Sequence, residues 1–260
     1  MSIDRRHFLG LAGLSALALA ARPSLEAANG LPRAAGDPAA SPGAATGRRF
    51  ALIVDPKKCL ELEGCTRCIV ACHRAHNVPA IAEPRHEVKW IWKERFEQAF
   101  PSDQNAYTED ALKGTQIPVL CNHCDNPPCV RVCPTKATWK REDGIVMMDS
   151  HRCIGCRYCM GACPYGSRSF NWDDPRQHMG LASARDYPTR TKGVVEKCTF
   201  CEERLAKGQQ PLCVEACPVD ALVFGDLGDA KSEVRDLLRA RHSIRRKPEL
   251  GTQPSVYYVV

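Results

Sequence analysis

The cysteines constrain this chain more than anything else in it. All sixteen fall into four groups of four, with none left over. The first is Cys59, Cys65, Cys68 and Cys72, spaced C-x5-C-x2-C-x3-C. The second is Cys121, Cys124, Cys129 and Cys133, spaced C-x2-C-x4-C-x3-C. The third is Cys153, Cys156, Cys159 and Cys163, spaced C-x2-C-x2-C-x3-C. The fourth is Cys198, Cys201, Cys213 and Cys217, spaced C-x2-C-x11-C-x3-C. With only 7 Phe, 6 Tyr and 4 Trp in 260 residues, a purely hydrophobic core is thin, so something bound to cysteine is expected to fill it.

The third group, CIGCRYCMGACP, is the C-x2-C-x2-C-x3-C-P run that ligates iron–sulfur cubes. In that run the closely spaced cysteines wrap one [4Fe–4S] cube, with turn amides directed at its sulfurs. The last cysteine is expected to open a short helix and to ligate the neighbouring cube. Pro134, Pro164 and Pro218 fix φ directly after it. At four ligands per cube, sixteen cysteines imply four [4Fe–4S] clusters. Three other readings compete. Disulfides suit an exported chain with an even count, but C-x2-C repeats suit a metal better. Zinc sites with four cysteine ligands, as in a zinc-stabilised interaction module, use two C-x2-C pairs, not triplets followed by C-P. A mixed set with one different centre stays open for the second and fourth groups, whose spacing departs most from the standard run.

The N-terminus reads as an address. Asp4-Arg5-Arg6-His7-Phe8-Leu9, followed by a mildly apolar stretch to Ala21, has the layout of a bacterial twin-arginine export signal. Residues 1–28 are therefore expected to be a signal peptide, with Ala18-Leu19-Ala20 offering a cleavage site. Residues 29–48 form an Ala-, Gly-, Pro- and Ser-rich linker. The four-cluster domain is expected over 49–225, and a helix and partner-docking tail over 226–260. No apolar run reaches the roughly 18 residues of a spanning helix, so no transmembrane span of its own is expected. Export and cysteine content explain one another. Thiolates delivered unfolded into an oxidising compartment would be trapped as disulfides, whereas the twin-arginine signal marks proteins exported already folded. The expected location is the periplasm, peripheral on the outer face of the cytoplasmic membrane.

Charge excludes one class of partner. The formal net charge is +6, and residues 1–28 remove Arg5, Arg6 and Arg22 against Asp4 and Glu26. Each oxidised cube with four thiolates adds about −2, so the loaded protein is near −3 and no nucleic-acid partner is expected. There is no Gly-rich phosphate loop, nucleophile elbow, H-E-x-x-H or paired carboxylate set. No catalytic residue is expected.

Between the groups, Phe50–Asp55 reads as the first strand, and 87–93 as a strand with Val88, Trp90 and Trp92 on one apolar face covering the clusters. Residues 102–113 read as a helix. Thr138–Arg141 with Gly144–Asp149 reads as a hairpin, and Ser169–Trp172 as a strand. Residues 232–241, with Val234, Leu237 and Leu238 at i, i+3, i+4, read as a surface helix. The basic run Arg239, Arg241, Arg245, Arg246 and Lys247 is expected to be a solvated face, and the Pro254–Val260 tail to add a strand to a partner. His73 and His123 are expected to hydrogen-bond near the ligands, since every group of four is already complete.

The segments CNHCDNPPCVRVCP, CIGCRYCMGACPYG and VEKCTFC…CVEACP resemble the four-cluster iron–sulfur subunits of the DMSO reductase and polysulfide reductase group over nearly all of 50–225. The resemblance implies an α+β fold of two fused bacterial-type 2[4Fe–4S] ferredoxin modules with loop insertions, and exchange of ligands between groups one and four and between two and three. It implies four ligand sets: Cys59, Cys65, Cys68 and Cys217; Cys198, Cys201, Cys213 and Cys72; Cys121, Cys124, Cys129 and Cys163; and Cys153, Cys156, Cys159 and Cys133. The opening KCLELEGCTRCIVACHRAHNVP and the segment VKWIWKERF are most similar to the periplasmic iron–sulfur subunit of the dissimilatory sulfite-reduction transmembrane complex. That likeness implies a multi-span quinone-interacting membrane subunit and a periplasmic multihaem cytochrome c as partners. The alternative is the electron-transfer subunit of an exported molybdopterin oxidoreductase.

Overall fold

The run Phe50–Val54 forms strand β1, and Ala51, Leu52, Ile53 and Val54 are all buried. A strand covered on both faces needs partners on both edges for its backbone groups. One edge pairs antiparallel with β8 (Leu222–Asp226), Leu52 opposite Phe224. The other pairs parallel with β10 (Val256–Val259), Leu52 opposite Val256. β9 (Ser243–Ile244) completes the sheet in the order β8-β1-β10-β9. The computed structural model describes residues 47–103, 112–179 and 184–260, all within the unit Ala44–Val260. The expected signal peptide and nearly all of the expected linker lie outside them, as does most of the helix expected at 102–113.

Three two-stranded antiparallel sheets complete an α+β arrangement of short helices and small sheets. β2 (Ile91–Arg95) pairs with β3 (Gln116–Leu120), β4 (Thr138–Lys140) with β5 (Val146–Met148), and β6 (Ser169–Phe170) with β7 (Val195–Glu196). The main core runs through Trp90, Ile91, Phe96, Phe100, Leu120 and Tyr258 and continues into the cysteine loops. The expected helix at 232–241 forms over Glu233–Ala240 and lays Val234 against Ile53 and Val259. No helix among the described residues is long and apolar enough to cross a membrane.

Three expectations are corrected. The tail does not wait for a partner: β10 fills the free edge of this chain's own β1, with Tyr258 fully buried against Phe100 at 4.9 Å between ring centroids. The strand at 87–93 begins only at Ile91, and the chain turns into it so that Trp90 and Ile91 are both buried while Trp92 stays half-buried. Arg239 of the basic run is exposed as expected, but the rest of the run is not a solvated face. Arg246 is 2% exposed and pairs with Glu94 at 2.8 Å, Arg241 pairs with Asp55, and Lys247 Nζ donates to Pro164 O at 2.7 Å. These cations lock the C-terminal segment onto the cluster-bearing body.

Candidate metal centre

Each cysteine group is built by the same local device. The residue before the second cysteine takes a left-handed conformation in all four: Gly64 (φ 71°), His123 (φ 40°), Gly155 (φ 70°) and Phe200 (φ 56°). The turn folds the chain back so that its amides point at sulfur. Gly155 N–H donates to Cys153 Sγ and Phe200 N–H to Cys198 Sγ, both at 3.4 Å. A second left-handed residue follows each Cys-Pro three positions after the cysteine, at Lys136, Gly166 and Asp220. The first group has His73 in place of proline, and its helix runs on to Ala75.

The helices fall differently from the expectation. It is the third cysteine of each group, not the last, that stands at the start of a helix. Cys68 is the second residue of Arg67–Ala75, Cys129 of Pro128–Arg131, Cys159 of Tyr158–Ala162 and Cys213 of Leu212–Glu215. The fourth cysteine follows four positions later, within the long first helix or just past the short ones. Only in the first group does one helix carry two of the thiols, Cys68 and Cys72.

These turns draw the sixteen thiols, all free of disulfides, toward the four expected sets. Cys121, Cys124, Cys129 and Cys163 line one cavity, together with Asn122 and Arg168. Cys133, Cys153, Cys156 and Cys159 line another. Cys59 and Cys68 lie in the field of Cys65 and Cys217, and Cys72 in that of Cys198, Cys213 and Cys201. Burial, reinforced by neighbouring thiolates, pushes the Cys68 thiol up to about 11 and raises Cys72, Cys124, Cys198 and Cys213 as well. Four converging thiolates in a dry site need a cationic centre, and an iron cluster that deprotonates its thiols supplies it. The donor set thus fits cubes ligated by four cysteines.

Thiols of different sets also lie within one another's field: Cys68 acts on Cys72 and Cys213, Cys121 on Cys198, and Cys129 on Cys159. The four thiols of the second set are all buried. In the first, Cys59, Cys65 and Cys217 are half-buried, and Cys156 of the fourth is exposed.

His73 and His123 hydrogen-bond beside the ligands, as expected. His73 Nε2 lies 3.2 Å from Ile91 O, and His123 Nδ1 accepts from Val146 N–H at 3.1 Å while its ring stacks on Phe200 at 3.6 Å. Burial first, then the nearby Lys197 and Arg168 charges, keep His123 neutral by lowering its pKa. Sequence reasoning missed His76. Fully buried, it lies 3.0 Å from Glu203 Oε1 and 2.9 Å from Cys72 O, and stacks on Trp90 at 4.8 Å. It missed the buried Arg168 and Lys197 as well. The signal for Lys197 was its place directly before a ligand cysteine.

A 4Fe–4S dicluster domain matches residues 112–180 and 183–227. The chain is 44% identical over 231 residues to an Hdr-like menaquinol oxidoreductase iron–sulfur subunit 1 of Archaeoglobus fulgidus, covering 81% of this chain and 83% of that one. The chain belongs to the iron–sulfur electron-transfer subunits of membrane-associated oxidoreductase complexes. An arsenate respiratory reductase iron–sulfur subunit of Shewanella sp. is 36% identical over 241 residues, 81% of this chain and 96% of that one. A menaquinone reductase iron–sulfur cluster-binding subunit of Nitratidesulfovibrio vulgaris is 36% identical over 237 residues, 81% and 88%. Its cofactors are accordingly [4Fe–4S] clusters, four for sixteen cysteines. Members of this family carry electrons and leave substrate chemistry to other subunits.

Proposed function

We propose that this chain is a periplasmic subunit exported folded by the twin-arginine route, relaying electrons between a multi-span quinone-interacting membrane subunit and a multihaem cytochrome c, in a complex serving sulfite or sulfur metabolism. The observation that carries the relay is the gradation of burial across the proposed thiol sets, with a fully buried second set and exposure at Cys156 in the last. Such a gradation lets electrons enter and leave at the surface and keeps the inner steps away from water.

The ligand sets proposed are Cys59, Cys65, Cys68 and Cys217; Cys72, Cys198, Cys201 and Cys213; Cys121, Cys124, Cys129 and Cys163; and Cys133, Cys153, Cys156 and Cys159. Each bound cube supplies a one-electron exchange. The protein's part is to hold the cubes close, to aim amides at sulfur and to exclude water. Exchange of the fourth cysteine between groups one and four, and between two and three, supports a pair of fused two-cluster modules. The pairing of β1, before the first group, with β8, after the last, supports the same arrangement.

Two relatives with menaquinol or menaquinone in their names favour the quinone-linked reading. The arsenate respiratory reductase relative favours the second one, an electron-transfer subunit beside an exported molybdopterin protein. Gentle solubilisation of membranes bearing the chain with a tag after Val260, followed by mass spectrometry, haem staining and molybdenum analysis, separates them. A haem c protein and a multi-span protein without molybdenum are expected. A large molybdenum-containing partner would move the chain to the second reading.

A further inference from the structure

Among the described residues, the buried arginines and lysine are Arg168, Arg190, Lys197 and Arg246. Two of them have carboxylates, Arg190 with Glu196 and Arg246 with Glu94. The other two do not. Arg168 is 4% exposed, and its Nη2 donates to Cys129 Sγ at 3.1 Å and Thr138 Oγ1 at 2.8 Å, while Nη1 lies 3.6 Å from Met148 Sδ. Lys197 is 1% exposed, and its Nζ donates to the carbonyls of Val146 and, at 2.7 Å, Cys198. Among the described residues, neither cation has a carboxylate partner: Arg168 reaches a hydroxyl and two sulfurs, and Lys197 two backbone carbonyls.

A guanidinium and an ammonium taken out of water with only neutral partners are strongly disfavoured. Elsewhere this fold follows the rule and gives its buried arginines carboxylates. The exceptions share one location. Arg168 lines the cavity of Cys121, Cys124, Cys129 and Cys163, and its charge also reaches Cys159 of the last set. The Lys197 ammonium bridges Val146, which lines that same cavity, to the backbone of Cys198 in the second set. The missing anions are then the clusters, whose thiolates and sulfides give each oxidised cube a net charge of about −2.

We infer that Arg168 and Lys197 are the fixed counter-charges of the inner relay, one at the joint between the third and fourth thiol sets and the other at the joint between the second and third, and that they make the cube of the third set easier to reduce. The inference rests on the ligand sets proposed above. Adding an electron to a cube adds negative charge, and a nearby cation in a dry matrix favours that state. The Arg168–Cys129 hydrogen bond acts in the same direction, because hydrogen bonds to cluster sulfur raise the potential. Arg168 and Lys197 are positioning residues in this role: they carry no electron and set where one rests.

Redox titration of the purified holoprotein followed by electron paramagnetic resonance tests this, with iron content measured on every sample. Arg168→Gln keeps a donor and removes the charge. It is expected to lower the reduction equilibrium constant of one inner cube at least tenfold, about 59 mV for one electron. Arg168→Lys keeps the charge and loses the fork, and is expected to hold that constant within about threefold. Lys197→Met is expected to shift the same inner cube downward and to leave the first set unmoved. Full iron with every midpoint unmoved in Arg168→Gln overturns the inference, and so does an equal shift in the Gln and Lys variants. If Arg168→Gln loses iron, Arg168→Lys decides: full iron and wild-type midpoints support the charge, while loss of iron overturns it. Cys124→Ser separates this from an error in the ligand sets. Correct sets require it to alter the signal that Arg168→Gln moves. A different signal altered by Cys124→Ser would instead indict the sets.

Discussion

Glu196 accepts from Trp90 Nε1 at 2.8 Å, Arg190 Nε at 2.9 Å and Asn171 Nδ2 at 2.6 Å, with 3% of its surface exposed. Arg190 donates onward to Asn77 O at 2.9 Å and to His76 O, and its guanidinium lies 5.3 Å from the Trp90 ring centre. This one carboxylate holds Trp90 against His76, whose backbone carbonyl Arg190 also ties down, behind the second thiol set. A buried pair of this kind adds little net stability when intact, but breaking it leaves an uncompensated charge. Glu196→Ala is expected to cost about 3–5 kcal/mol, read as an earlier thermal bleaching of the brown cluster absorbance. Glu196→Gln keeps part of the hydrogen bonding and is expected to fall between the two. Bleaching at the wild-type temperature in the alanine variant would mean that Arg190 finds another anion.

The cysteine turns behave as interchangeable elements with one weak point each, the left-handed residue before the second ligand. His123 and Phe200 adopt that conformation at a steric cost, whereas Gly155 adopts it freely. Gly155 is also held by contact. A Cβ there would stand 2.4 Å from Gly193 O and 3.2 Å from Phe170 Cε2, and the carbonyl belongs to the loop leading into β7. Gly155→Ala is therefore expected to displace the Cys153–Cys156 turn and lower iron from about sixteen to about twelve atoms per chain, counting four per cube. Retention of all the iron would show that the loop before β7 yields. This scale also explains what the sequence made legible. Ligand spacing is a local property, so the four groups, the β4–β5 hairpin and the Glu233–Ala240 helix could be read directly. His76 lies 127 positions from Glu203, and Arg246 lies 152 from Glu94. Pairs so distant leave no periodic trace, and the basic run therefore read as solvated when Arg241, Arg246 and Lys247 are structural.

Across the whole molecule the two ends of the described chain close the sheet that carries the cluster loops. β1 leads into the first cysteine group, β8 leaves the last, and β10 arrives from the C-terminus to occupy the remaining edge of β1. Without β10, β1 would expose unpaired backbone along that edge, a template for pairing with other chains. Val256, Tyr258 and Val259 are each at most 1% exposed, and burying side chains of this kind contributes about 2 kcal/mol apiece. Together with the lost ladder, that approaches the roughly 5–15 kcal/mol of net stability available to a domain. A chain ending at Ser255 is therefore expected to accumulate poorly, to hold less iron, and to aggregate. The substitution Tyr258→Phe, which removes only the 3.3 Å hydrogen bond to Pro118 O, is expected to cost about 1 kcal/mol and to keep all the iron. Iron per chain and size-exclusion profiles of the two variants check this. Full loading and monodispersity of the shortened chain would mean that β1 and β8 suffice, leaving β10 free to serve a partner after all.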